Sequence, residues 1–488
     1  MSISFDSIPI NLLTPGQFVE INASRATSGL PAMPQKTLVV GQKLAAGLAA
    51  ANVPIRVTSA DQAIQQFGRG SMLAAMCAGF LAANPTGEML AFPVEDNAAG
   101  VASTKTVTLA GPATAAGTLH LYVAGQRVQV AVASAAAAAT VATALAAAVN
   151  AAPDLPVTAS AAGAVVTLTA RHKGELGSDV DVRLNYREGE TTPAGLTATI
   201  AAGVAGSGNP DLSTLFAAIG DAWFTSFVLP YTDTANLAVF EAELLSRWGP
   251  LRMIEGVAYG FKSGTQGTLA ALGSSRNSPF SSIGGLKGSP TPPWTIAAVY
   301  AGVVTFHGAI DPARPFQTLL MPGVLAPAQA DVFTRAERNL LLADGISTFT
   351  IDTGGNVLVE RPVTTYQTNP FGLPDTAYLD VNTVLTLAYL RFSVRARIST
   401  KYPRHKLASD GTLTGPGQAV VTPKVLKAEL VSLFGDWMEA GLTEDIEQFK
   451  ADLVVERDET DPNRANALIP PNLVNQFRVF AAQIQYRL

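Results

Sequence analysis

The segment GFKSGTQGT, residues 260–268, is the strongest candidate in this sequence for binding a small molecule. It follows a predicted strand and precedes a predicted helix, which is where backbone amides can hold a phosphate group. Its glycine spacing matches neither the GxxxxGK(S/T) pattern nor the GxGxxG pattern. The simpler interpretation is a glycine-rich turn between strand and helix. A nucleotide-binding α/β protein that uses this loop stays as the alternative.

The histidines and acidic residues give little support for a catalytic or metal site. The chain has four histidines, and His307 with Asp311, in the segment HGAIDPARP, is the pair that suggests one. A metal site needs three or four ligands, and no cluster of His, Cys or Glu accompanies this pair. A histidine at a helix end, followed by a turn at Asp311-Pro312, is the simpler interpretation. The sequence also has no GxSxG motif, so we predict no catalytic residue, no cofactor and no metal ligand.

Composition argues against several other classes of protein. The net charge is −5, which gives no basic surface for nucleic acid. The single Cys77 rules out an internal disulfide framework and suits a reducing cytoplasm. Residues 128–153 carry no charge, but alanine dominates, and Val141, Leu145 and Val149 form one narrow apolar stripe. We therefore predict a soluble helix in this segment and no membrane insertion. The N-terminal residues lack the basic region of a secretion signal.

The elements that must position any functional residue begin with an α/β pattern. A strand at 37–40, a helix at 61–83 and a strand at 88–94 alternate, and the alternation returns later in the chain. Strands that alternate with helices imply a mainly parallel sheet with helices on both sides. We assign this discontinuous core to residues 26–98 and 206–345.

Residues 99–205 interrupt the core with a composition rich in Ala, Thr, Val and Gly. Leu119, Leu121 and Val123 alternate with other residues and precede a turn, which predicts a hairpin. An alanine-rich helix, further strands and a glycine-rich linker follow. We predict an inserted α+β domain, rich in β-structure, that is joined to the core through flexible linkers.

An α+β C-terminal domain is predicted for residues 346–470. It follows a helix that begins with the capping-box pattern of Thr334 and Glu337 and ends at Gly345, which suits the left-handed C′ position. A hairpin with the turn TGGN comes next. A later helix, near 423–440, has Pro423 at its first position.

Charged residues occur along this later helix beside its apolar stripe. A solvated face is the simpler interpretation, and docking of a partner is the alternative. The candidates for such docking are Lys424, Lys427 and Glu429.

Both ends of the chain have the pattern of isolated strands. The N-terminal arm, residues 1–25, contains the short apolar run of Phe18, Val19, Glu20 and Ile21. In the C-terminal arm, residues 471–488, apolar and polar side chains alternate to the last residue, and the apolar set includes Phe480, Ile484, Tyr486 and Leu488. Neither strand has a hairpin partner close in sequence, and an unpaired strand exposes its backbone groups. We therefore predict that both arms pair with other chains.

Several strings, taken together, resemble the contractile tail sheath proteins of Mu-type phages and prophages. The most specific is a capped helix ending in glycine, then a glycine-turn hairpin, then ERPVTTYQ at 360–367. Further strings follow in family order over most of the chain. They are AALGSSRNSPF at 270–280, DPARPFQTLLMPGVLAP at 311–327, RAERNLLLADGIST at 335–348, YLDVNTVLTLAYLRFSVRARI at 378–398, YPRHKLASDG at 402–411 and DPNRANALIPPNLVNQFRVFAAQIQYRL at 461–488.

The resemblance gives a structural role to the residues of these strings. Arg361 is expected to bridge the hairpin to a nearby carboxylate that the sequence does not identify, and the threonines suit a strand. The motif positions are Asp311, Pro312, Arg314, Pro315, Gly345, Arg361, Thr364, Thr365 and Tyr366.

The resemblance also implies a function, which is structural and not enzymatic. Six subunits would form a ring around an inner tail tube, and the rings would stack helically. The extended sheath would be metastable, and a baseplate signal would trigger the contraction that drives the tube through the host envelope. The implied partners are further copies of the chain, the tube protein, and baseplate and tail terminator proteins, with no nucleic acid. The implied location is the virion tail, with assembly in the host cytoplasm.

Finer placements follow from the same resemblance. The terminal arms would meet a sheet around 350–400 of adjacent subunits, the inserted domain would lie outermost, and the helix near 423–440 would face the tube. The sheath of a related contractile injection particle, resembling a tailocin, is the alternative within the same family.

Overall fold

The structure is a computed structural model that describes residues 11, 13–20, 29–413, 415 and 417–487. Contacts within the chain divide it into two compact units. The larger unit comprises residues 34–389 together with 475–488, and the smaller unit comprises the residues up to 33 together with 390–474. Each unit is described separately.

The larger unit opens with strands and helices in alternation. Gly68, at φ +89°, ends the first helix, and the Ser71 hydroxyl caps the second by accepting from the Ala74 amide. The single helix predicted for 61–83 is therefore two helices, because glycine permits a turn that breaks it. The elements are β1 (Lys36–Gln42), β2 (Ile55–Arg56), α1 (Ala60–Phe67), α2 (Met72–Ala83) and β3 (Glu88–Val94).

The segment that interrupts this pattern forms two antiparallel sheets and one helix. Val141, Leu145 and Val149 are buried on one side of that helix, as the apolar stripe predicts. The elements are β4 (Ala102–Ala110), β5 (Gly117–Val123), β6 (Gln126–Val132), α3 (Ala138–Asn150), β7 (Val157–Ala162), β8 (Val165–Lys173), β9 (Val182–Leu184) and β10 (Thr197–Ala202). The strand orders are β10-β4-β8-β7 and β6-β5-β9.

Hydrogen bonds tie the base of this inserted segment to the core. The charged neighbours of His172 suggest a solvated side chain, yet it is buried, and its Nε2 accepts from the Met72 amide at 3.1 Å. Its Nδ1 lies 3.0 Å from Oδ1 of Asp96, which also accepts from the Gln42 side chain at 2.7 Å. Burial would raise the pKa of Asp96, but its hydrogen bonds with His172 and the Lys173 amide lower it overall. The joint is therefore more constrained than the flexible linkers predicted from sequence.

The rest of the larger unit completes one sheet of nine strands. Its elements are α4 (Leu215–Ile219), β11 (Ser226–Val228), α5 (Thr234–Trp248), β12 (Val257–Ser263), α6 (Gln266–Ser274), β13 (Ser281–Leu286), α7 (Pro293–Ile310), β14 (Leu319–Leu325), α8 (Arg335–Ala343), β15 (Ile346–Ile351) and β16 (Asn356–Arg361). The order is β14-β16-β15-β13-β12-β11-β1-β3-β2. Neighbours from β3 to β15 are parallel, and the outer pairs are antiparallel. The fold is thus mixed α/β.

The position of the hairpin corrects one predicted boundary. We placed the start of a separate C-terminal domain at residue 346, but β15 pairs in parallel with β13, and β16 then pairs with β15. The hairpin therefore belongs to the large sheet. The alternating apolar pattern of a strand does not reveal which sheet the strand joins, because that depends on hydrogen bonds to distant residues.

The helix α7 is largely buried within the larger unit. Among the described residues it alone is long and apolar enough to cross a membrane, yet 67% of it is buried within the protein. It packs closely on α2: a Cβ added at Gly302 would lie 2.7 Å from Cβ of Ala83 and 3.0 Å from the Phe80 carbonyl oxygen. Its apolar composition is explained by burial in the core.

The smaller unit is built around two long helices. The helix α9 (Val381–Lys401) begins in the larger unit and ends in the smaller one. The elements that follow are β17 (Lys406–Leu407), β18 (Val420–Val421), α10 (Pro423–Glu439), β19 (Thr443–Glu444), α11 (Ile446–Asp452), β20 (Val454–Arg457), β21 (Ala465–Leu468) and β22 (Asn472–Leu473). Trp437 of α10 donates to the Ser393 hydroxyl at 2.9 Å, and Phe434 stacks on Phe449 with ring centroids 4.0 Å apart. These buried contacts hold α10 against its neighbours in the unit.

Candidate assembly site

The C-terminal arm has an exposed apolar set without a strand partner among the described residues. Residues 474–487 form no strand, although alternation predicts one. Phe480, Ile484 and Tyr486 are 80%, 89% and 79% exposed, and Leu488 lies outside the described residues. A strand needs a partner for its backbone groups, and residues 475–487 have no strand partner within the described part of the chain.

The N-terminal arm is described in part. Phe18 and Val19 are exposed, Glu20 is half-buried, and residues 15–20 have no regular secondary structure. Ile21 lies outside the described residues. The predicted strand is therefore not formed over residues 18–20, the part of it that the structure describes.

Arg361 ends β16 and binds a carboxylate. Its Nε donates to Oδ1 of Asp380 at 2.9 Å, and its Nη2 donates to Oδ2 at 3.1 Å. This bidentate arrangement is the strong form of an arginine–carboxylate pair. Asp380 immediately precedes α9, where the helix dipole also favours a negative charge. The strand stops at Arg361 because Pro362 has no amide hydrogen to continue the ladder.

Thr364 and Thr365 are completely buried just beyond the end of β16. The Thr364 hydroxyl donates to the Tyr378 carbonyl at 2.6 Å, and the Thr365 amide donates to the Ser281 carbonyl at 2.8 Å. The expectation that these threonines lie in a strand is therefore wrong. They join the end of the hairpin to the segment before α9 and to β13, because each has polar groups that must be satisfied once buried.

Tyr366 and Gly345 complete the same region. The Tyr366 hydroxyl donates to Oδ2 of Asp375 at 2.6 Å, and this bond together with burial raises the pKa of Tyr366 to about 12. Gly345 has φ +74°, as the C′ prediction requires, and an added Cβ would lie 2.9 Å from Cα of Thr365. A glycine is needed at this position both for its conformation and for the close approach of the backbone.

The segment after α7 contacts the same end of α9. Oδ1 of Asp311 accepts from the Arg314 amide at 3.2 Å, which forms the predicted turn. Nδ2 of Asn382 donates to the carbonyls of Pro312 and Arg314, at 2.9 and 2.8 Å. Pro315 follows, half-buried. Motif residues that are distant in sequence thus meet at the start of α9.

The charged residues of α10 differ from a uniformly solvated face. Lys424 is exposed and Lys427 is half-buried. Glu429 faces α9, where its carboxylate is 3.2 Å from Nη1 of Arg397 and 2.7 Å from Nζ of Lys401. Glu429 is therefore committed to contacts within the smaller unit, which removes it from the candidates for contact with a partner.

The candidates for small-molecule chemistry are accounted for by structural contacts. In the 260–268 loop, Nζ of Lys262 lies 3.5 Å from Oδ2 of Asp179, and Thr265 caps α6. Burial, then the charge of Arg314, lower the pKa of His307. Within the described residues no group of three His, Cys, Asp or Glu side chains could hold a metal ion.

Sequence reasoning missed three residues of this region: Asp380, Asn382 and Arg478. Nη2 of Arg478, in the C-terminal arm, lies 3.0 Å from Oδ1 of Asp380 and 3.4 Å from Oδ1 of Asn382. The available signal was the acidic residue in YLDVNT directly before a long helix. We call Arg361, Asp380, Asn382 and Arg478 the Asp380 cluster.

Three family models match successive parts of the chain. They are the phage tail sheath protein beta-sandwich domain over residues 96–197, the phage tail sheath protein central domain over 205–365, and the phage tail sheath C-terminal domain over 374–487. The chain, an α/β core with an inserted β-rich segment, therefore belongs to the phage tail sheath family.

Particular relatives agree with this assignment. The chain is 44% identical, over all 488 residues of both proteins, to the Mu-like prophage FluMu tail sheath protein of Haemophilus influenzae. A solved structure of the anti-feeding prophage helical sheath in its contracted state matches 97% of this chain and 99% of its own, with a TM-score of 0.51 and 10% identity. The crystal structure of a sheath tail protein from Desulfitobacterium hafniense matches 94% of this chain and 100% of its own, with a TM-score of 0.48 and 14% identity. At 10% identity, the likeness to the anti-feeding prophage sheath concerns the fold alone.

Proposed function

We propose that this chain is the subunit of a contractile tail sheath whose copies are linked by their terminal arms. Six copies form a ring around a tail tube, and the rings stack helically. The observation that carries the proposal is the alternating apolar set of the C-terminal arm, which is exposed and has no strand partner among the described residues of its own chain. An extended segment of this kind adds to a sheet edge of another chain.

The hairpin of β20 and β21 is the best acceptor for incoming arms. It is a two-stranded sheet, and its cross-strand pair of Val454 and Leu468 is exposed. Two strands alone are marginally stable in water, so added strands would stabilise them. The strands near 350–361 are less suitable than the sequence suggested, because β15 and β16 already have neighbours on both sides.

Contraction requires two packings of the same subunits separated by a barrier. Arms that stay paired while the compact units exchange contacts would hold the lattice together through the change. The energy is stored when the extended sheath assembles, so no nucleotide is consumed. The partners are other copies of the chain, the tube protein, and the baseplate and terminator proteins. The sheath lies in the virion tail after assembly in the host cytoplasm.

The orientation of the subunit follows the family resemblance. The segment of β4–β10 lies outermost, and α10 faces the tube through Lys424 and Lys427 rather than Glu429. Tail particles with DNA-filled heads would identify a virion, and headless particles would identify the alternative, a tailocin-like injection particle.

The test compares purified full-length protein with a variant that lacks residues 479–488, by negative-stain electron microscopy. Long hollow cylinders from the full-length chain and none from the truncated chain are expected. Circular dichroism should show the same thermal unfolding for both proteins, since the deleted arm is exposed. Cylinders of equal length and number from both would reject arm linkage.

A further inference from the structure

One residue of the C-terminal arm differs from those beside it. Phe477 and Val479 are 72% and 75% exposed, whereas the side chain of Arg478 is 15% exposed. The guanidinium group of Arg478 is therefore set into the protein while the chain on either side of it lies on the surface. Long charged side chains are rarely buried without a specific partner.

Arg478 pairs with the Asp380 carboxylate, which also binds Arg361. Oδ1 of Asp380 is 3.0 Å from Nη2 of Arg478 and 2.9 Å from Nε of Arg361. Nη2 of Arg478 also approaches the side-chain oxygens of Asn382, at 3.4 Å, and Gln476, at 3.1 Å. Burial lowers the pKa of Arg478, Asp380 opposes that effect, and Arg361 adds to it. Asp380 thus joins the end of β16, the start of α9 and the C-terminal arm.

We propose that Arg478 is the anchor of the C-terminal arm, held by Asp380 and Asn382, and that the segment available to a neighbouring subunit begins at Val479. This inference rests on the proposed function, because it assigns an arm residue that positions the inter-subunit strand. Arginine suits the role better than lysine, because a guanidinium group keeps its charge when it is partly buried. Nη2 of Arg478 donates to the side-chain oxygens of Asn382 and Gln476, while its charge lies beside Asp380.

The rest of the Asp380 cluster explains why the anchor is rigid. Arg361 holds both carboxylate oxygens, so the Asp380 side chain has a fixed orientation when Arg478 arrives. Asn382 is held in turn by the carbonyls of Pro312 and Arg314. An anchored arm leaves the subunit in one direction, and less conformational freedom is lost when it pairs.

The anchor also fixes the length of the free segment. The last described backbone hydrogen bond before it runs from the Val474 amide to the Leu442 carbonyl. Without Arg478, the free segment would begin at residue 475 and would be four residues longer. A longer and less directed tether lowers the effective concentration of the strand at its acceptor.

The test measures motion on either side of Val479 in the unassembled subunit. A fluorescent dye is attached to Val479→Cys or to Gln485→Cys in the full-length chain, and Cys77 does not compete for the dye because it is fully buried. Time-resolved anisotropy is recorded at a concentration where sedimentation shows no assembly. With Arg478 present, the dye at 479 should tumble with the whole protein, while the dye at 485 should move rapidly.

Arg478→Gln and, separately, Asp380→Asn should convert the dye at 479 to rapid motion and leave the dye at 485 unchanged. Arg69→Gln is the matched control, since its ion pair with Asp154 is largely exposed and distant from the arm in sequence. Because Arg478 lies in the arm, its variant tests the anchor even if Asp380→Asn unfolds. Two results would overturn the proposal. One is rapid motion of the dye at 479 while Arg478 is present, and the other is unchanged motion of that dye after Arg478→Gln.

The two proposals fail in different ways. If the chain lacking 479–488 still forms cylinders, arm linkage is wrong whatever the dye at 479 reports. If that truncation abolishes cylinders but Arg478→Gln leaves the dye at 479 immobile, arm linkage stands and the anchor is wrong.

Discussion

Asp380 shows how one carboxylate can organise a region whose other residues come from distant parts of the sequence. The guanidinium groups of Arg361 and Arg478 share the Asp380 carboxylate, so two positive charges face one negative charge. The N-terminal end of α9 adds a further favourable interaction with the carboxylate. Loss of either arginine would leave the carboxylate with the other one, whereas loss of Asp380 would leave two like charges close together.

Arg361→Ala should lower the free energy of unfolding by about 1–2 kcal/mol, because two charge-assisted hydrogen bonds to a half-buried carboxylate are lost. Urea unfolding followed by circular dichroism measures the change. Arg69→Ala removes an exposed ion pair and should leave the free energy of unfolding nearly unchanged. Cylinder yield should fall for Arg361→Ala alone, and equal stability and assembly for both variants would contradict the role assigned to Arg361.

At this scale the sequence predicts residue types better than partners. The conformation of Gly345 follows from its position after a capped helix, and the structure agrees. The need of Arg361 for a carboxylate could be foreseen, but Asp380 could not be chosen from sequence, because the choice depends on the packing of β16 against the start of α9. The strand assigned to Thr364 and Thr365 failed because Pro362 ends the ladder.

At the scale of elements, the contact between α2 and α7 shapes the larger unit. The two helices approach closely where small residues meet, and of the two glycines of α7, Gly302 has less space for a side chain than Gly308. Close-packed interiors respond to the addition of a single methyl group when the neighbouring atoms belong to backbone. At Gly302 one of those atoms is the Phe80 carbonyl oxygen.

Gly302→Ala and Gly435→Ala should change stability in opposite directions. Overpacking at Gly302 costs about 1–3 kcal/mol, which outweighs the gain of up to about 1 kcal/mol from better helix propensity. At Gly435, within α10, an added Cβ meets no atom within 4 Å, so the gain in propensity remains. Differential scanning calorimetry of the two variants would show this, and a higher Tm for Gly302→Ala would disprove close packing at that site.

Periodicity in the sequence predicts whether most elements are helices or strands. It does not predict where a helix breaks or which strands pair. The apolar stripe of α3 predicts its buried side. The division of 61–83 into two helices depends on Gly68, which a helical pattern tolerates in principle. The membership of the hairpin in the nine-stranded sheet depends on pairing between β13 and β15. The paired residues, such as Ile283 and Ile346, are 63 positions apart in sequence.

At the scale of the whole molecule, residues 480–487 matter because they contribute little to the folded subunit. The side chains of Phe480, Ile484 and Tyr486 are exposed, so selection for stability of the single chain does not account for the alternation in this segment. An alternating pattern places one set of side chains on each face of a strand. Ile484 and Gln485 would therefore face opposite sides of any sheet that the arm joins.

Ile484→Asp should abolish cylinders, while Gln485→Asp should leave them intact, because only the first places a charge on the apolar face of the added strand. Both positions are exposed in the subunit, so the free energy of unfolding should change by less than about 0.5 kcal/mol in each. Electron microscopy and thermal unfolding measure the two effects. Equal loss of assembly in both variants would show that general charge, and not strand pairing, controls it.

The position of Arg478 sets a limit on travel. The six residues from Val479 to Ile484 follow it, and a fully extended chain of that length reaches at most about 20–22 Å. Part of this reach is taken up by the residues that lie in the neighbour's sheet. If the arms link the subunits as proposed, adjacent subunits can slide or rotate only as far as the remainder allows. The length of this segment, and not the strength of the contacts between subunits, would then set the largest displacement of one subunit against the next.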